Sequence, residues 1–288
     1  MELRYIAGES DAGRRLDRLL RSQLHLSGGL LAQLKRQNGI SVNGAEAHAD
    51  LRVRAGDEIS VRLPEISPPE PNQAHSFKSR LRIVFEDEAL LIVDKPAPLS
   101  SMKSPVKTDE TLEDLVFGYL GCYCPVNRLD KGTSGLMVIA KNGYIQSLMQ
   151  KALHTDAFVR EYLAVAQGIM QENAGSISLP IEEPASGSVK RFVSEKGREC
   201  RTDFQVLDRK NGHTLLRLRL YTGRTHQIRV HLAYLGHPLV GDYLYGTPCA
   251  FLPERFALHS AFLSLEHPLT GERIGLESPL PDEILQLI

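Results

Sequence analysis

The sequence predicts an α+β protein in which a small N-terminal α+β domain precedes a large mixed, mostly antiparallel sheet flanked by helices. Three observations carry this prediction. After residue 80 the strand-type runs outnumber the helical ones, and short, turn-rich connections join them, as in hairpins and not in βαβ crossovers. The stretch Glu65 to Phe77 has three prolines, few apolar residues and no hydrophobic period, so it reads as a linker. No glycine-rich phosphate loop follows the first strand beyond it, which removes the footing for a nucleotide cofactor. The predicted division is a domain over 1–64, a linker over 65–79 and a second domain over 80–288.

In the leading unit, Leu16, Leu19, Leu20 and Leu24 mark one helical face. Leu30, Leu31 and Leu34 mark a second helix, opened by Ser27-Gly28-Gly29 and closed at Asn38-Gly39. Ile40-Ser41-Val42 then runs into an Asn43-Gly44 turn, and Asp57 to Leu63 alternates as a half-buried strand. The exposed positions carry Arg14, Arg15, Arg18 and Arg21, with Lys35 and Arg36 ending the second helix. Beyond the linker, Leu81 to Phe85 and Leu90 to Val93 flank the acidic turn Glu86-Asp87-Glu88 and predict a hairpin ending in Asp94-Lys95-Pro96. Helices are predicted at Thr111 to Tyr119 and Tyr144 to Ala152. Strands are predicted at Leu136 to Ala140, Glu161 to Ala166, Thr202 to Leu207, Leu215 to Tyr221 and Phe262 to Leu265.

Composition excludes several classes. No apolar run approaches the ~18 residues of a membrane span. Met1-Glu2-Leu3-Arg4 lacks the charged-then-apolar order of a signal peptide, so a cytoplasmic address without a membrane partner is expected. The cysteines, Cys122, Cys124, Cys200 and Cys249, have no zinc-knuckle or redox spacing and read as structural. A net charge of −1, from 34 Lys+Arg against 35 Asp+Glu, gives no global argument for a polyanionic partner. Locally the picture differs. From Ser186 to His231 the cations clearly outnumber the acids, a stripe that suits either a polyanion or ordinary strand-edge protection.

Three clusters carry candidate chemistry. Asn127-Arg128-Leu129-Asp130-Lys131-Gly132-Thr133-Ser134-Gly135 places one carboxylate between two cations on a tight turn at the mouth of a strand. Such an Asp either bonds its own backbone or faces a ligand at the sheet end. Thr222-Gly223-Arg224-Thr225-His226-Gln227-Ile228-Arg229-Val230-His231 sets Arg224 and Arg229 about a turn apart, a pair suited to a carboxylate and a phosphate with His226 and Gln227 as hydrogen-bonding supports. His226 and His231 are five apart, which is not the spacing of metal ligands on one helix face. Arg160-Glu161-Tyr162 puts an aromatic with a polar tip on a strand, either as core or as a stacking platform for a flat base.

Together these clusters resemble the RluA-type family of RNA pseudouridine synthases. The family pattern is His-Arg-Leu-Asp, two variable residues, then Thr-Ser-Gly, matched here from Asn127 to Gly135. Arg-Thr-His-Gln-Ile-Arg, Gly-His-Pro and Gly-Asp-Tyr-Leu-Tyr-Gly are matched at Arg224 to Arg229, Gly236 to Pro238 and Gly241 to Gly246. The hairpin ending in Lys-Pro, the (Lys/Arg)-x-Tyr and the late His-Pro fall at Lys95-Pro96, Arg160 to Tyr162 and His267-Pro268. The leading unit resembles the small RNA-binding domain shared by a ribosomal small-subunit protein, tyrosyl-tRNA synthetases and several RNA-modifying enzymes.

The resemblance implies the pseudouridine synthase fold, an isomerase activity on structured RNA, ribosomal more than transfer, and no obligate protein partner. It makes Asp130 the catalytic carboxylate, Tyr162 the ring that stacks on the target base and Arg229 the cation paired with Asp130. Arg128 would fill the gap left by the flipped nucleotide, and Arg160, Arg224, His226 and Gln227 would bind substrate. Arg14, Arg15, Lys35 and Arg36 would hold RNA phosphates. The isomerisation moves a glycosidic bond from nitrogen 1 to carbon 5 of uracil with no redox change, so no metal and no cofactor is expected. Asp130 attacking the ribose, attacking the base and abstracting a ribose proton all remain open. Two positions depart from the family: Asn127 replaces a His, and Pro98 stands where Gly is common. The alternative reading is a non-catalytic RNA-binding or ribosome-assembly protein on the same fold. A glycosidase would need a second carboxylate opposite Asp130, with Glu161 and Asp242 as candidates.

Overall fold

A computed structural model describes residues 1–64, 66–67, 69–104, 108–185 and 187–288; Glu65 and Pro68 of the predicted linker and Ser186 at the head of the basic stretch lie outside the described residues. The leading unit has β1 (Glu2–Ile6), α1 (Leu16–Ser22), α2 (Gly28–Arg36), β2 (Ile40–Val42), β3 (Ala45–Glu46) and β4 (Glu58–Arg62). Its sheet runs β1-β4-β2-β3. Helix α2 starts where Ser27 accepts a hydrogen bond from the Leu30 amide at 3.2 Å, satisfying one orphan donor. It ends before Asn38, whose φ of +52° turns the chain out of the helix. The predicted helical faces are the buried ones, with Leu16, Leu19 and Leu20 meeting Leu31, Leu34, Ile59 and Val61, except that Leu24 lies beyond the end of α1 and is only half-buried. Each fully buried leucine contributes about 1.5–3 kcal/mol, enough to hold a unit this small. Strand β1 escaped the sequence reading because it is an edge strand with only Leu3 and Tyr5 turned inward.

The predicted linker is not structureless. It holds α3 (Pro71–Lys78), with Pro71 in the first turn, where its missing N–H costs nothing. No residue of α3 is fully buried, which is why no period was visible. It is anchored by Phe77, whose ring lies so close to Gly118 that a Cβ there would come within 2.5 Å of it, and by Lys78, which pairs with Glu86 at 3.2 Å.

The rest of the chain forms β5 (Ile83–Glu86), β6 (Leu90–Lys95), α4 (Leu112–Leu120), β7 (Cys124–Pro125), β8 (Ser134–Ala140), α5 (Gly143–Ala152), β9 (Phe158–Gln167), β10 (Ala174–Ile177), β11 (Ile181–Glu182) and β12 (Phe192–Val193). It continues with β13 (Thr202–Lys210), β14 (His213–Leu220), α6 (Gln227–Tyr234), β15 (Leu258–Glu266), β16 (Arg273–Glu277) and α7 (Asp282–Leu285). A ten-stranded sheet runs β10-β13-β14-β9-β15-β8-β6-β5, with β16 on β15 and β7 on β8. Central strands read as continuous apolar runs because both faces are covered. Leu91, Val93, Met137 and Ile139 face α4 and α6, whereas Leu90, Ile92, Leu136 and Val138 face α5.

Among the described strands, only β8 and β15 pair in parallel, with Ser134 opposite His259. The join is tight. Gly135 has φ +108°, and a Cβ on it would sit 2.3 Å from the Ser260 carbonyl oxygen, so only glycine fits. Asp130 stands on the turn that enters β8, on the sheet face that α6 covers.

Candidate active site

The Asp130 turn is held from several sides. Its carbonyl accepts from the Thr133 amide at 3.1 Å, and the next carbonyl, of Lys131, accepts from the Leu99 amide at 3.1 Å. Ser101 Oγ donates to the Leu129 carbonyl at 2.6 Å and accepts from the Leu129 amide at 3.2 Å. Asn127 Oδ1 accepts from the Val138 amide at 2.9 Å, so the residue standing for the family's His fixes the approach to the turn against β8. Its Nδ2 is buried without a hydrogen-bond partner. Below the turn, Phe256 packs so closely that a Cβ on Gly132 would lie 2.7 Å from its ring.

The cations flanking Asp130 in sequence are not its partners. Lys131 reaches Glu254 at 3.3 Å, and the exposed Arg128 lies 3.5 Å from Met102 Sδ. The partner arrives from 99 residues away: Arg229 Nη1 donates to Asp130 Oδ2 at 3.1 Å. Arg229 is itself held by Asp242, with Nε to Oδ2 at 2.7 Å and Nη2 to Oδ1 at 2.8 Å. Asp242 is fully buried and also accepts from the amides of Leu244 and Tyr245 at 3.0 and 3.1 Å. The Phe256 ring centroid lies 4.2 Å from the guanidinium carbon. Burial alone would lower the Arg229 pKa, but the hydrogen bonds and charge of Asp242, and then Asp130, raise it. The guanidinium is thus a fixed positive charge whose one free edge faces Asp130.

Tyr162 projects from β9 into the same cleft, a space of about 570 Å³ lined also by Asp130, Arg160, His226 and Arg229. Burial raises its hydroxyl pKa, so it offers a ring and a neutral O–H. Arg160 is buried in the cleft wall, its Nη2 donating to the Leu153 carbonyl at 3.3 Å while Nε has no hydrogen-bond partner. His226 holds a left-handed backbone, φ +60°, at the start of α6, and its Nε2 lies 3.8 Å from Asp130 Oδ2. Burial lowers its pKa.

Of the predicted anion-binding pair, Arg229 holds carboxylates, whereas Arg224 and the predicted support Gln227 bond to the protein's own backbone and hydroxyls. Gln227 Oε1 accepts from Thr222 Oγ1 at 2.8 Å and the Arg224 amide at 3.0 Å, and its Nε2 donates to the Arg201 carbonyl at 3.0 Å and Thr202 Oγ1 at 2.9 Å. It shapes the turn ahead of α6. The Arg224 guanidinium rests 3.3 Å from the Glu199 carbonyl at the cleft rim. In the leading unit, Arg14 is paired with Asp11 at 2.7 Å and Arg15 with Asp17 at 3.0 Å, whereas Lys35 and Arg36 are exposed at the end of α2. Neither glycosidase candidate is available: Asp242 is committed to Arg229, and Glu161, one residue from Tyr162 on a strand, faces Arg217 at 3.9 Å.

Sequence reading missed Lys95 as a member of this site. It is fully buried, and its Nζ donates to the carbonyls of Leu99 at 2.7 Å and Pro96 at 3.0 Å, fixing the loop whose Leu99 amide holds the Asp130 turn. Burial pushes its pKa down from 10.5 to about 7, against the pull of Asp130. Between those two values the unfolded chain binds a proton that the folded chain has released, so stability rises with pH across the window. Lys95→Met keeps the apolar stem and is expected to flatten this rise in urea melts taken between pH 7 and 10. An unchanged slope would place the released proton elsewhere.

A carboxylate fixed by a guanidinium, beside a flat ring in a cleft that admits a nucleotide, is the equipment of an enzyme acting on the bases of RNA. Comparison with known proteins narrows this. Residues 89–234 match the family model described as RNA pseudouridylate synthase. The chain is 34% identical over 309 residues to ribosomal large subunit pseudouridine synthase D of Vibrio cholerae, covering 100% of this chain and 94% of that one. It is 33% identical over 292 residues to an uncharacterized RNA pseudouridine synthase of Bacillus subtilis, YlyB, covering 98% of this chain and 95% of that one. Among solved structures it resembles Human RNA Pseudouridylate Synthase Domain Containing 1, with a TM-score of 0.57 and 27% identity over 69% of this chain and 83% of that one. The chain belongs to the RNA pseudouridylate synthase family, isomerases that act on RNA.

Proposed function

We propose that the protein isomerises specific uridines of ribosomal RNA to pseudouridine, with Asp130 as the catalytic carboxylate. The observation that carries this reading is the 3.1 Å Asp130–Arg229 pair in the cleft that also receives Tyr162. In the net reaction the bond between ribose carbon 1 and uracil nitrogen 1 breaks, and a bond from the same ribose carbon to uracil carbon 5 forms. The carbon 5 proton leaves, and nitrogen 1 gains one. Attack on the ribose, attack on the base and abstraction of a ribose proton each require a carboxylate at this one point, so all three are compatible with the geometry.

Tyr162 supplies a face on which the detached uracil is kept while it turns, which separates an isomerase from a glycosidase. The exposed Arg128, at the cleft mouth, is suited to occupy the gap that a flipped nucleotide leaves. The name of the Vibrio cholerae relative supports ribosomal over transfer RNA, and that substrate gives a cytoplasmic address. The leading unit we assign to RNA docking, with Lys35 and Arg36 as its free phosphate contacts.

The direct test is tritium release from RNA labelled at uridine carbon 5. Release from an unmodified large-subunit ribosomal RNA transcript is expected. RNA binding with no release from any cellular RNA would favour the non-catalytic reading. Deleting residues 1–64 is expected to weaken RNA binding and lower the slope of log affinity against log salt by about one per lost phosphate contact. An unchanged slope would give that unit another purpose.

A further inference from the structure

We propose that Tyr245 is a positioning residue for this reaction: its hydroxyl fixes the tautomer of His226, and so makes the donor that faces Asp130 depend on the basic segment around Arg191. The proposal rests on the reading of Asp130 as the catalytic carboxylate. It starts from one oxygen atom with two close partners. The Arg191 amide donates to Tyr245 Oη at 2.7 Å, and His226 Nδ1 lies 2.9 Å from the same oxygen.

The proton count then selects a tautomer. A backbone N–H only donates, so the phenol accepts from Arg191, and among the described residues His226 Nδ1 is the acceptor within reach of the phenol's own hydrogen. With Nδ1 accepting, the neutral imidazole carries its hydrogen on Nε2, the nitrogen 3.8 Å from Asp130 Oδ2. The opposite tautomer would leave the phenol hydrogen without a partner among the described residues and turn a lone pair toward the carboxylate. Burial supports both protonation states: it pushes the Tyr245 hydroxyl up to about 12 and lowers the His226 pKa. The charges that bear on His226 are those of Asp130, Arg229, Asp242 and Arg191.

Tyr245 is also held in place independently of this hydroxyl. Its amide donates to Asp242, its ring stands edge-on to His226 with centroids 5.6 Å apart, and the Arg229 guanidinium carbon lies 5.0 Å from the ring centroid. Removing the oxygen therefore leaves the ring's packing intact. On the far side, Lys190 Nζ lies 5.6 Å from the same ring, and Arg191 pairs with Glu183 at 2.7 Å. These cations belong to the basic stretch that would meet RNA. A polyanion seated there bears on the backbone N–H that Tyr245 reads, two hydrogen bonds from the histidine that faces Asp130.

The test uses Tyr245→Phe in the full chain, with 15N-histidine labelling and tritium release from the unmodified large-subunit transcript, rates being normalised to folded protein. We expect kcat to fall about tenfold with KM within about twofold of wild type, the loss of one hydrogen bond that acts on the reacting group and not on RNA affinity. The His226 imidazole signals, assigned with His226→Ala, move from the Nε2–H pattern toward a mixture of tautomers. In a His226→Ala background Tyr245→Phe adds no further loss. A wild-type kcat in Tyr245→Phe, an unchanged Nε2–H pattern, or a full additional loss in the His226→Ala background would each overturn the proposal. Absence of turnover in the wild-type protein would instead sink the isomerase reading, while the tautomer measurement still decides the role of Tyr245.

Discussion

Asp130→Ala is expected to lower pseudouridine formation by at least about 10⁴-fold, the scale seen when the reacting group itself is removed, while RNA affinity stays within about twofold. On the proposed assignment each of the three routes uses this carboxylate, and neither Glu161 nor Asp242 is placed to substitute for it. Binding is spared because RNA affinity comes from cations spread over the surface, whereas Asp130 is a single anion inside the cleft. Stability is also spared, since Arg229 keeps both hydrogen bonds to Asp242. Asp130→Asn separates charge from shape. It can still accept from Arg229, yet it lacks the carboxylate, and the same loss is expected. Tritium release and filter binding on the same preparation read both quantities, and turnover near wild type would move the catalytic role to another residue.

Asp242→Ala is expected to act on the fold and the chemistry together. It removes the anion from a buried cation that makes three side-chain hydrogen bonds to carboxylates, two of them to Asp242. Breaking one side of a buried pair typically costs about 3–5 kcal/mol, because the remaining charge has been taken out of water and left uncompensated. The amides of Leu244 and Tyr245 lose their acceptor as well. Arg229 is then free to rotate around its remaining contact, so turnover should fall on the order of 10²-fold in molecules that still fold, the scale for a misplaced electrostatic partner. Urea denaturation gives the first quantity and single-turnover rates the second. A stability loss below about 1 kcal/mol would mean that Arg229 finds water or another acceptor in place of Asp242.

Much of the fold was legible because its elements obey simple periods. Leu16, Leu19 and Leu20 mark a helix face, Ser27 caps a helix, and the apolar runs through Leu91 and Val138 belong to strands covered on both sides. Elements that bury little were not legible: β1 turns only two side chains inward, and α3 has no fully buried residue. Within the site, the motifs drew attention to Asp130, Tyr162 and Arg229, and the structure brings these three to one cleft. The pairing of Asp130 with Arg229 was expected from the family resemblance and could not be read from local spacing. Lys131 and Arg128 stand beside Asp130 in the chain, but a turn directs neighbouring side chains apart, and only the sheet topology brings Arg229 to it. The same blindness hid Asp242, which looked like a spare acid, and Lys95, which looked like the end of a hairpin. Gln227 looked like a ligand-binding amide because sequence does not reveal that Thr222, Arg224, Arg201 and Thr202 between them use all of its hydrogen-bonding capacity.

The parallel seam between β8 and β15 has a consequence for how activity arises during synthesis. Asp130 enters from the β8 side and Tyr162 stands on β9, yet in the sheet these two strands do not pair with each other: β15 lies between them and emerges from the ribosome long after both. A nascent chain that has made Asp130, Tyr162 and Arg229 but not yet released Leu258 to Glu266 lacks the strand that joins the β9 side of the sheet to the β8 side. Isomerase activity is thus expected only once the last long strand enters the gap. For the same reason, fragments divided in the loop ahead of β15 should be separately inactive, and activity regained on mixing them would time the closure of the sheet.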